Sequence, residues 1–118
     1  MITMVNYAKQ AHIEAILGYS IDDEGTSKPT RTHLYQMFDD ADSIINSEAR
    51  VTTNLTDTSG RLRVIAVSLV LKMITNMFAL TNPAAYAFIE IELTDDQKRI
   101  IHMEHGVWDS ITWEVGVD

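Results

Sequence analysis

The stretch RLRVIAVSLVLKMITNMFAL, residues 61–80, predicts a long helix that is apolar on nearly every face. Only a thin strip of its side chains is polar: Arg63, Ser68, Lys72, Thr75 and Asn76. A surface helix normally keeps a broad polar face, so a helix of this kind must be covered on all sides. Since a chain of 118 residues has only a few other helices, we expect neighbouring copies or a partner protein to supply part of the cover.

A membrane-spanning helix is the first alternative for this stretch. A span needs about 20 predominantly apolar residues, and charged or strongly polar side chains within it are costly. Lys72 and Asn76 lie inside the run. We therefore expect no membrane partner.

The composition predicts one acidic domain. A hydrophobic content of 46% is enough for a compact core. The formal net charge of -8, from 17 acidic and 9 basic residues, disfavours tight binding of nucleic acid but permits a surface past which DNA slides. The chain has no cysteine, hence no disulfide, and its first residues lack a secretory signal pattern, so the expected default location is the cytoplasm.

Two shorter helices are predicted before residue 50. Asn6 is the expected cap of a first helix that runs from residue 7 to about residue 17 and stops at Gly18. Thr30 or Thr32 starts a second helix. Its apolar stripe has the spacing i, i+4, i+7 and i+11, formed by Leu34, Phe38, Ala41 and Ile45.

The segments between these helices have loop chemistry. Residues 19–29 collect Gly, Pro, Ser and three consecutive acids, so we expect a mobile loop that becomes ordered on assembly. Residues 50–57 are rich in Thr and lack helical periodicity, which predicts a loop with room for a short strand. A capping residue for the long third helix is expected at 57–59.

The chain after residue 80 combines one helix with two β-prone segments. Residues 88–93 alternate apolar and acidic side chains, as a half-buried strand does. Thr94 and Gln97 have capping-box spacing at the start of a helix that ends near His105. Residues 110–117 alternate again. One face of this last segment is apolar, formed by Ile111, Trp113, Val115 and Val117.

The predicted fold class is therefore mainly α. We expect a small bundle of about four helices over residues 1–109 and a β-prone C-terminal arm over residues 110–118, within a single domain overall. A lone terminal strand leaves its backbone groups without ladder partners, so we expect the arm to contact another protein or another copy.

Few residues have catalytic or metal-binding potential. His102 and His105 lie three apart on one predicted helix, but no HExxH spacing and no cysteine accompany them, and two surface histidines explain the pattern better. Asp39, Asp40 and Asp42 are expected to form a solvated helical face rather than a Mg²⁺ site. No phosphate-binding glycine loop or nucleophile elbow occurs, so we expect no enzymatic activity, no cofactor and no metal.

Trp108 and Trp113 are the two largest side chains of the chain. Either they pack over its own helices, or they anchor an interface, where aromatic residues are enriched. The sequence leaves both interpretations open.

The order of these elements resembles that of the head-tail connector, or adaptor, proteins of tailed double-stranded DNA viruses. The resemblance covers about residues 6–80. It consists of a first helix ending at Leu17-Gly18, an acidic loop, the segment KPTRTHLYQMFDDADSIINS at 28–47, and a long apolar helix opened by residues 57–62. The second helix stands in the position of the family's PT-x-x-x-hydrophobic-x-x-hydrophobic-x-x-A-x-x-x-I segment. From Pro83 onward the chain departs from the family, because its IEIEL segment has no place in that pattern.

The resemblance implies a structural virion protein of the neck, between head and tail. Such proteins form a homo-oligomeric ring, usually of twelve copies, beneath the portal protein after DNA packaging. The ring extends the DNA channel, lets double-stranded DNA pass without specific binding, and offers a platform to the stopper or tail protein. Before assembly the subunits would be in the host cytoplasm.

Two groups of residues are the expected contact sites under this interpretation. The contacts with the portal or with an adjacent subunit are expected from Ile111, Trp113, Val115 and Trp108. The lumen or the tail-side surface is expected to be formed by Asp22, Asp23 and Glu24, or alternatively by the loop 50–57.

Two other functions compete with the connector. The first is a small cytoplasmic helical interaction or regulatory module, which would form a small closed oligomer and ignore portal protein. The second, less favoured, is a metal-dependent enzyme that uses His102, His105 and a carboxylate.

Overall fold

A computed structural model describes residues 5–24, 29–79 and 91–104 of the chain. The described residues form four helices and no strand: α1 Gln10–Leu17, α2 Arg31–Ala49, α3 Arg61–Ala79 and α4 Asp95–Glu104. The mainly α fold class is thus confirmed. The strand predicted over residues 88–93 is absent from its described part, 91–93, and the arm at 110–118 lies outside the described residues.

The first helix is shorter than predicted at its N-terminal end. It begins at Gln10 with Lys9 as the cap residue, so the expected cap at Asn6 is wrong. The Asn6 side chain instead donates hydrogen bonds to two carboxylates of α2, which holds residues 5–9 against the bundle in a non-helical conformation. The predicted stop at Gly18 is confirmed, because its φ of 83° is the left-handed conformation that glycine adopts without strain.

The second helix begins where the sequence predicted. Thr30 is the N-cap, and its Oγ1 accepts a hydrogen bond of 3.2 Å from the backbone N–H of His33. The helix then continues as far as Ala49. Arg50 follows with a φ of 61° and closes the last turn through its backbone N–H.

The start of α3 is capped by side chains of the preceding loop. The Asp57 carboxylate accepts hydrogen bonds from the backbone N–H groups of Leu62 and Arg63, at 3.2 and 2.9 Å. Ser59 Oγ accepts a third from Arg61 at 3.2 Å. Three of the four backbone N–H groups that a helix start leaves without intrahelical partners are thus satisfied. The loop 50–60 contains no strand.

The predicted capping box opens α4. The backbone N–H of Thr94 donates to Gln97 Oε1 at 2.9 Å, and the backbone N–H of Gln97 donates to Thr94 Oγ1 at 3.1 Å. Asp95 and Asp96 lie in the first turn, where the helix dipole favours negative charge.

The core lies where α2 packs on α3, with α4 against both helices and α1 against α3. The predicted stripe of α2 is buried in full. The buried face of α3 has helical spacing and consists of Leu62, Ile65, Ala66, Leu69, Val70, Met73, Ile74 and Met77. Ile13 of α1 and Ile101 of α4 complete this core from two further sides.

Helix α4 runs antiparallel to α3. Gln97, in its first turn, donates to Ser68 Oγ at 3.5 Å, whereas Glu104, at its end, contacts Ser59 before the start of α3. The C-terminal end of α4 therefore lies beside the N-terminal end of α3. On the other side of α4, His102 Nε2 lies 2.7 Å from Glu48 Oε2 of α2. No helix of the described ranges is long and apolar enough to cross a bilayer.

Substitution of Asp57 tests the capping of α3. We expect Asp57→Ala to lower the free energy of unfolding by about 1 kcal/mol, because two backbone N–H groups lose their acceptor. Urea unfolding followed by circular dichroism measures this change. Thr58→Ala, at an exposed neighbouring position, is the control and should change stability by less than about 0.5 kcal/mol. Equal effects of the two substitutions would contradict the capping role.

Candidate functional site

The candidate functional site is an apolar stripe on the side of α3 that does not face the core. Four side chains form this outer stripe, and we use that name for Val64, Val67, Leu71 and Phe78. Their spacing of 0, 3, 7 and 14 residues places them on one side of a helix. Val64 is 60% exposed and Phe78 is 51% exposed, whereas Val67 and Leu71 are half-buried and also touch the core.

An open groove runs along part of this stripe. Its volume is about 520 Å³, and Val64, Val67 and Leu71 line it together with Ser68, Lys72, Thr75 and Asn76. The sequence predicts that α3 is apolar on nearly every face, and the structure divides its apolar side chains between two faces. One face packs in the core, and a second apolar face is exposed at Val64 and Phe78.

Basic side chains border the outer stripe on both flanks. At 100° per residue, Arg63 falls on one flank, while Arg61 and Lys72 fall on the other. All three side chains are exposed, and none forms an ion pair within the described part of the chain. Helix α3 carries no acidic residue, although the chain has 17 of them. The stripe is therefore apolar and basic on a chain that is acidic elsewhere.

A separate feature, which the sequence did not predict, is a buried carboxylate on α2. Asp42 is only 2% exposed, so the expectation that it belongs to a solvated acidic face is wrong, whereas Asp39 and Asp40 are exposed as expected. Asp42 lies beside Ala41 and one turn from Ile45, within the arc of α2 that faces the core. Its position next to the apolar stripe was the signal available in the sequence.

The Asp42 carboxylate is held by hydrogen bonds from two distant segments. Oδ2 accepts from the side-chain amides of Asn6 and Asn54, at 2.8 and 2.9 Å. Oδ1 accepts from the backbone N–H of Tyr7 at 3.3 Å. A buried carboxylate needs such donors, because burial removes its water shell.

The network continues through neutral groups. Asn46 donates to Asn54 Oδ1 and accepts from the Tyr7 hydroxyl, both at 2.7 Å. The Tyr7 hydroxyl accepts in turn from the backbone N–H of Leu55 at 2.7 Å. These bonds fasten the N-terminal residues and the loop 50–57 to α2. They satisfy one another and aim no unpartnered group at a ligand, so we assign the network a structural role.

Burial raises the pKa of Asp42 above its ordinary value of 3.8, and the nearby Asp39 carboxylate adds to this effect. Hydrogen bonds from Asn54, Asn6 and the Tyr7 backbone lower the pKa and offset the burial only in part. Burial likewise raises the pKa of the Tyr7 phenol. No basic side chain forms an ion pair with Asp42 in the described ranges.

The acidic residues 22–24 are tied to the start of α2. Asp23 Oδ1 accepts from the backbone N–H and the hydroxyl of Thr32, at 2.8 and 3.0 Å, and the Asp22 carbonyl accepts from the Arg31 backbone at 2.9 Å. The Asp22 carboxylate also accepts from the backbone N–H of Glu24 at 3.0 Å. These bonds tie Asp22 and Asp23 to the start of α2, whereas residues 25–28 of the predicted loop lie outside the described residues. The side chains of Asp23 and Glu24 remain exposed.

The remaining predicted site residues divide into two groups. His102 pairs with Glu48, and no group of three or more potential metal ligands occurs within the described ranges. His105 lies outside them, as do the four expected interface residues Trp108, Ile111, Trp113 and Val115.

No protein-family model, no characterised protein and no solved structure matches this chain.

The raised pKa of Asp42 gives a testable dependence of stability on pH. We expect Asp42→Asn to lower the free energy of unfolding by about 1–3 kcal/mol, because an amide NH₂ would face groups that also donate. A group with a raised pKa in the folded state stabilises most below its unfolded pKa, and this contribution is lost as the pH rises through the folded pKa. The stability gap between wild type and variant should therefore narrow as the pH rises from below 3.8.

Urea titrations of both proteins at a series of pH values measure this gap. Glu24→Gln, at an exposed position outside this network, controls for the loss of one charge and should change stability by less than about 0.5 kcal/mol at neutral pH. A gap that stayed constant, or widened with rising pH, would contradict the assignment to Asp42.

Proposed function

We propose that this chain is a head-tail connector subunit of a tailed double-stranded DNA virus. Its copies assemble into a ring beneath the portal protein, extend the DNA channel and offer a platform to the stopper or tail protein. The observation that supports this function best is the outer stripe of α3, an uncovered apolar surface that another chain would bury.

Ring assembly accounts for the two apolar faces of α3. A bundle of this size can cover one face of its longest apolar helix with its own helices. The second face gains stability only when a neighbour removes Val64 and Phe78 from water, at roughly 25 cal/mol per Å² of apolar surface buried. In a ring every copy both offers and covers such a surface, so no copy needs to expose it.

The distribution of charge suits a protein that lines a DNA path. Three of the nine basic residues lie on α3, and all 17 acidic residues lie elsewhere. If α3 forms subunit contacts, its cations are withdrawn from the lumen. Exposed carboxylates such as Asp39 and Asp40 would then remain to repel phosphates. DNA would pass such a surface without being retained.

The segment 22–24 is a candidate for the platform or for the lumen. Because Asp22 and Asp23 are fixed to the N-terminal end of α2, this segment presents negative charge from a defined position. The exposed side chains of Asp23 and Glu24 are free of ion pairs to the described residues. A stopper or tail protein with basic side chains at its contact surface would fit this chemistry.

The decisive experiment is the mass of the purified chain in solution, alone and then mixed with the portal protein encoded nearby. We expect a large species in one or both cases, and electron microscopy should show it as a ring. The ring should withstand moderate salt, because its central contacts are apolar.

A stable monomer or dimer that ignores portal protein would refute the proposal. That result would favour a small helical regulatory module instead, and the outer stripe would then bind another partner. Inductively coupled plasma mass spectrometry on the same sample tests the metalloenzyme alternative, which predicts stoichiometric metal.

A further inference from the structure

We propose that the outer stripe of α3 binds the C-terminal segment, residues 107–118, of a neighbouring copy. This inference rests on the proposed function and names the contact that links one subunit to the next. It starts from the stripe itself, which the fold of a single chain leaves uncovered at Val64 and Phe78.

Pairing of two α3 helices through their stripes is disfavoured by charge. Each helix brings Arg61, Arg63 and Lys72 and no acid, so two stripes face to face would place like charges together. The occupant of the stripe must instead combine apolar side chains with negative charge. It must also be free of basic residues where it passes the cations.

The C-terminal segment VWDSITWEVGVD has this chemistry. Its apolar side chains include Trp108, Ile111 and Trp113, and aromatic side chains of this size supply much of the energy of protein contacts. It carries three acids, Asp109, Glu114 and Asp118, and no basic residue. Its formal charge of -3 matches the three cations of α3 in number and opposes them in sign.

The length of the chain permits the contact between copies. The 14 residues after Glu104 span up to about 46 Å when extended. Helix α3, with 19 residues, is about 28 Å long. Glu104, the last described residue before the segment, lies beside the N-terminal end of α3 in its own copy, because it contacts Ser59. The 14 residues that follow are therefore long enough to follow the whole stripe of a neighbouring copy.

Tryptophan fluorescence tests the proposal in the intact chain. Trp108 and Trp113 are the only tryptophans, so the emission reports on the C-terminal segment alone. We expect the emission of the assembled protein to be blue-shifted. Val64→Asp should shift it to the value of water-exposed indole and weaken assembly by at least about tenfold, since a charge would enter the apolar contact.

Val5→Asp is the matched control, since Val5 is 71% exposed and lies outside the stripe. It should leave the emission and the assembly unchanged. Both variants replace an exposed side chain, and circular dichroism should show the helix content of the wild type.

A charge exchange tests the electrostatic part of the contact. Lys72→Glu and Glu114→Lys should each weaken assembly roughly two- to fivefold, and the double variant should restore it. This exchange tests one pairing of the proposed contact, that of Glu114 with Lys72 of the next copy. A double variant no better than the single ones would overturn that pairing.

The outcomes separate this inference from the connector function. If rings form on the portal and Val64→Asp leaves the tryptophan emission unchanged, the inference is overturned and the connector function stands. A blue-shifted emission that persists in dilute monomer, and is lost in Val64→Asp, would mean that the segment covers the stripe of its own chain and would overturn the contact between copies. Absence of any large species would refute the connector itself.

Discussion

The packing of α2 against one face of α3 is the contact on which the rest of this structure depends. Leu69 and Val70 are fully buried at the middle of α3, opposite an α2 stripe that is buried along its whole length. Helices α1 and α4 add single fully buried residues, Ile13 and Ile101, to a core that α2 and α3 already define. The same helix α3 also has an apolar outer stripe, and none of the other three helices in the described ranges covers Val64 or Phe78. The described part of the chain therefore buries its most apolar helix only in part, which is the reason we propose that another chain covers the rest.

The Asp42 network determines how the irregular segments attach to the bundle. Residues 5–9 and the loop 50–57 pack Tyr7, Ala8, Val51 and Leu55 against the core, and hydrogen bonds to the Asp42 carboxylate also hold these segments in place. The cost of burying Asp42 is visible in its raised pKa, and three donors offset that cost in part. Such a network adds specificity of position, because an apolar side chain at 42 would remove the acceptor of the Tyr7 backbone N–H and one of the two acceptors of each amide of Asn6 and Asn54. The start of α3 depends on this network indirectly, since Asp57, which caps α3, is the last residue of the same loop.

Local features of the sequence predicted the parts of the fold that depend on local physics. The period of α2, the capping box at Thr94 and the stop at Gly18 each involve residues within a few positions of one another, and the structure has all three. The errors arose where a distant residue decided the outcome. Asn6 does not cap α1, because its amide binds Asp42, which is 36 positions away in the sequence. The position of Asp42 beside the apolar stripe of α2 indicated its burial, but its hydrogen-bond partners could not be predicted, because they come from two other segments.

The candidate site was predicted in its chemistry but not in its geometry. The sequence indicated an over-apolar helix, yet only the packed structure separates the face that α2 covers from the stripe of Val64, Val67, Leu71 and Phe78. That separation has a directional consequence. A surface that is apolar and basic cannot pair well with an identical surface, so it favours a different patch of the next copy. Contacts between two different patches are heterologous, and repeated heterologous contacts close into rings when the rotation between copies divides a full turn. In the proposed ring, the charge asymmetry of α3 would therefore bear on the symmetry of the assembly as well as on its strength.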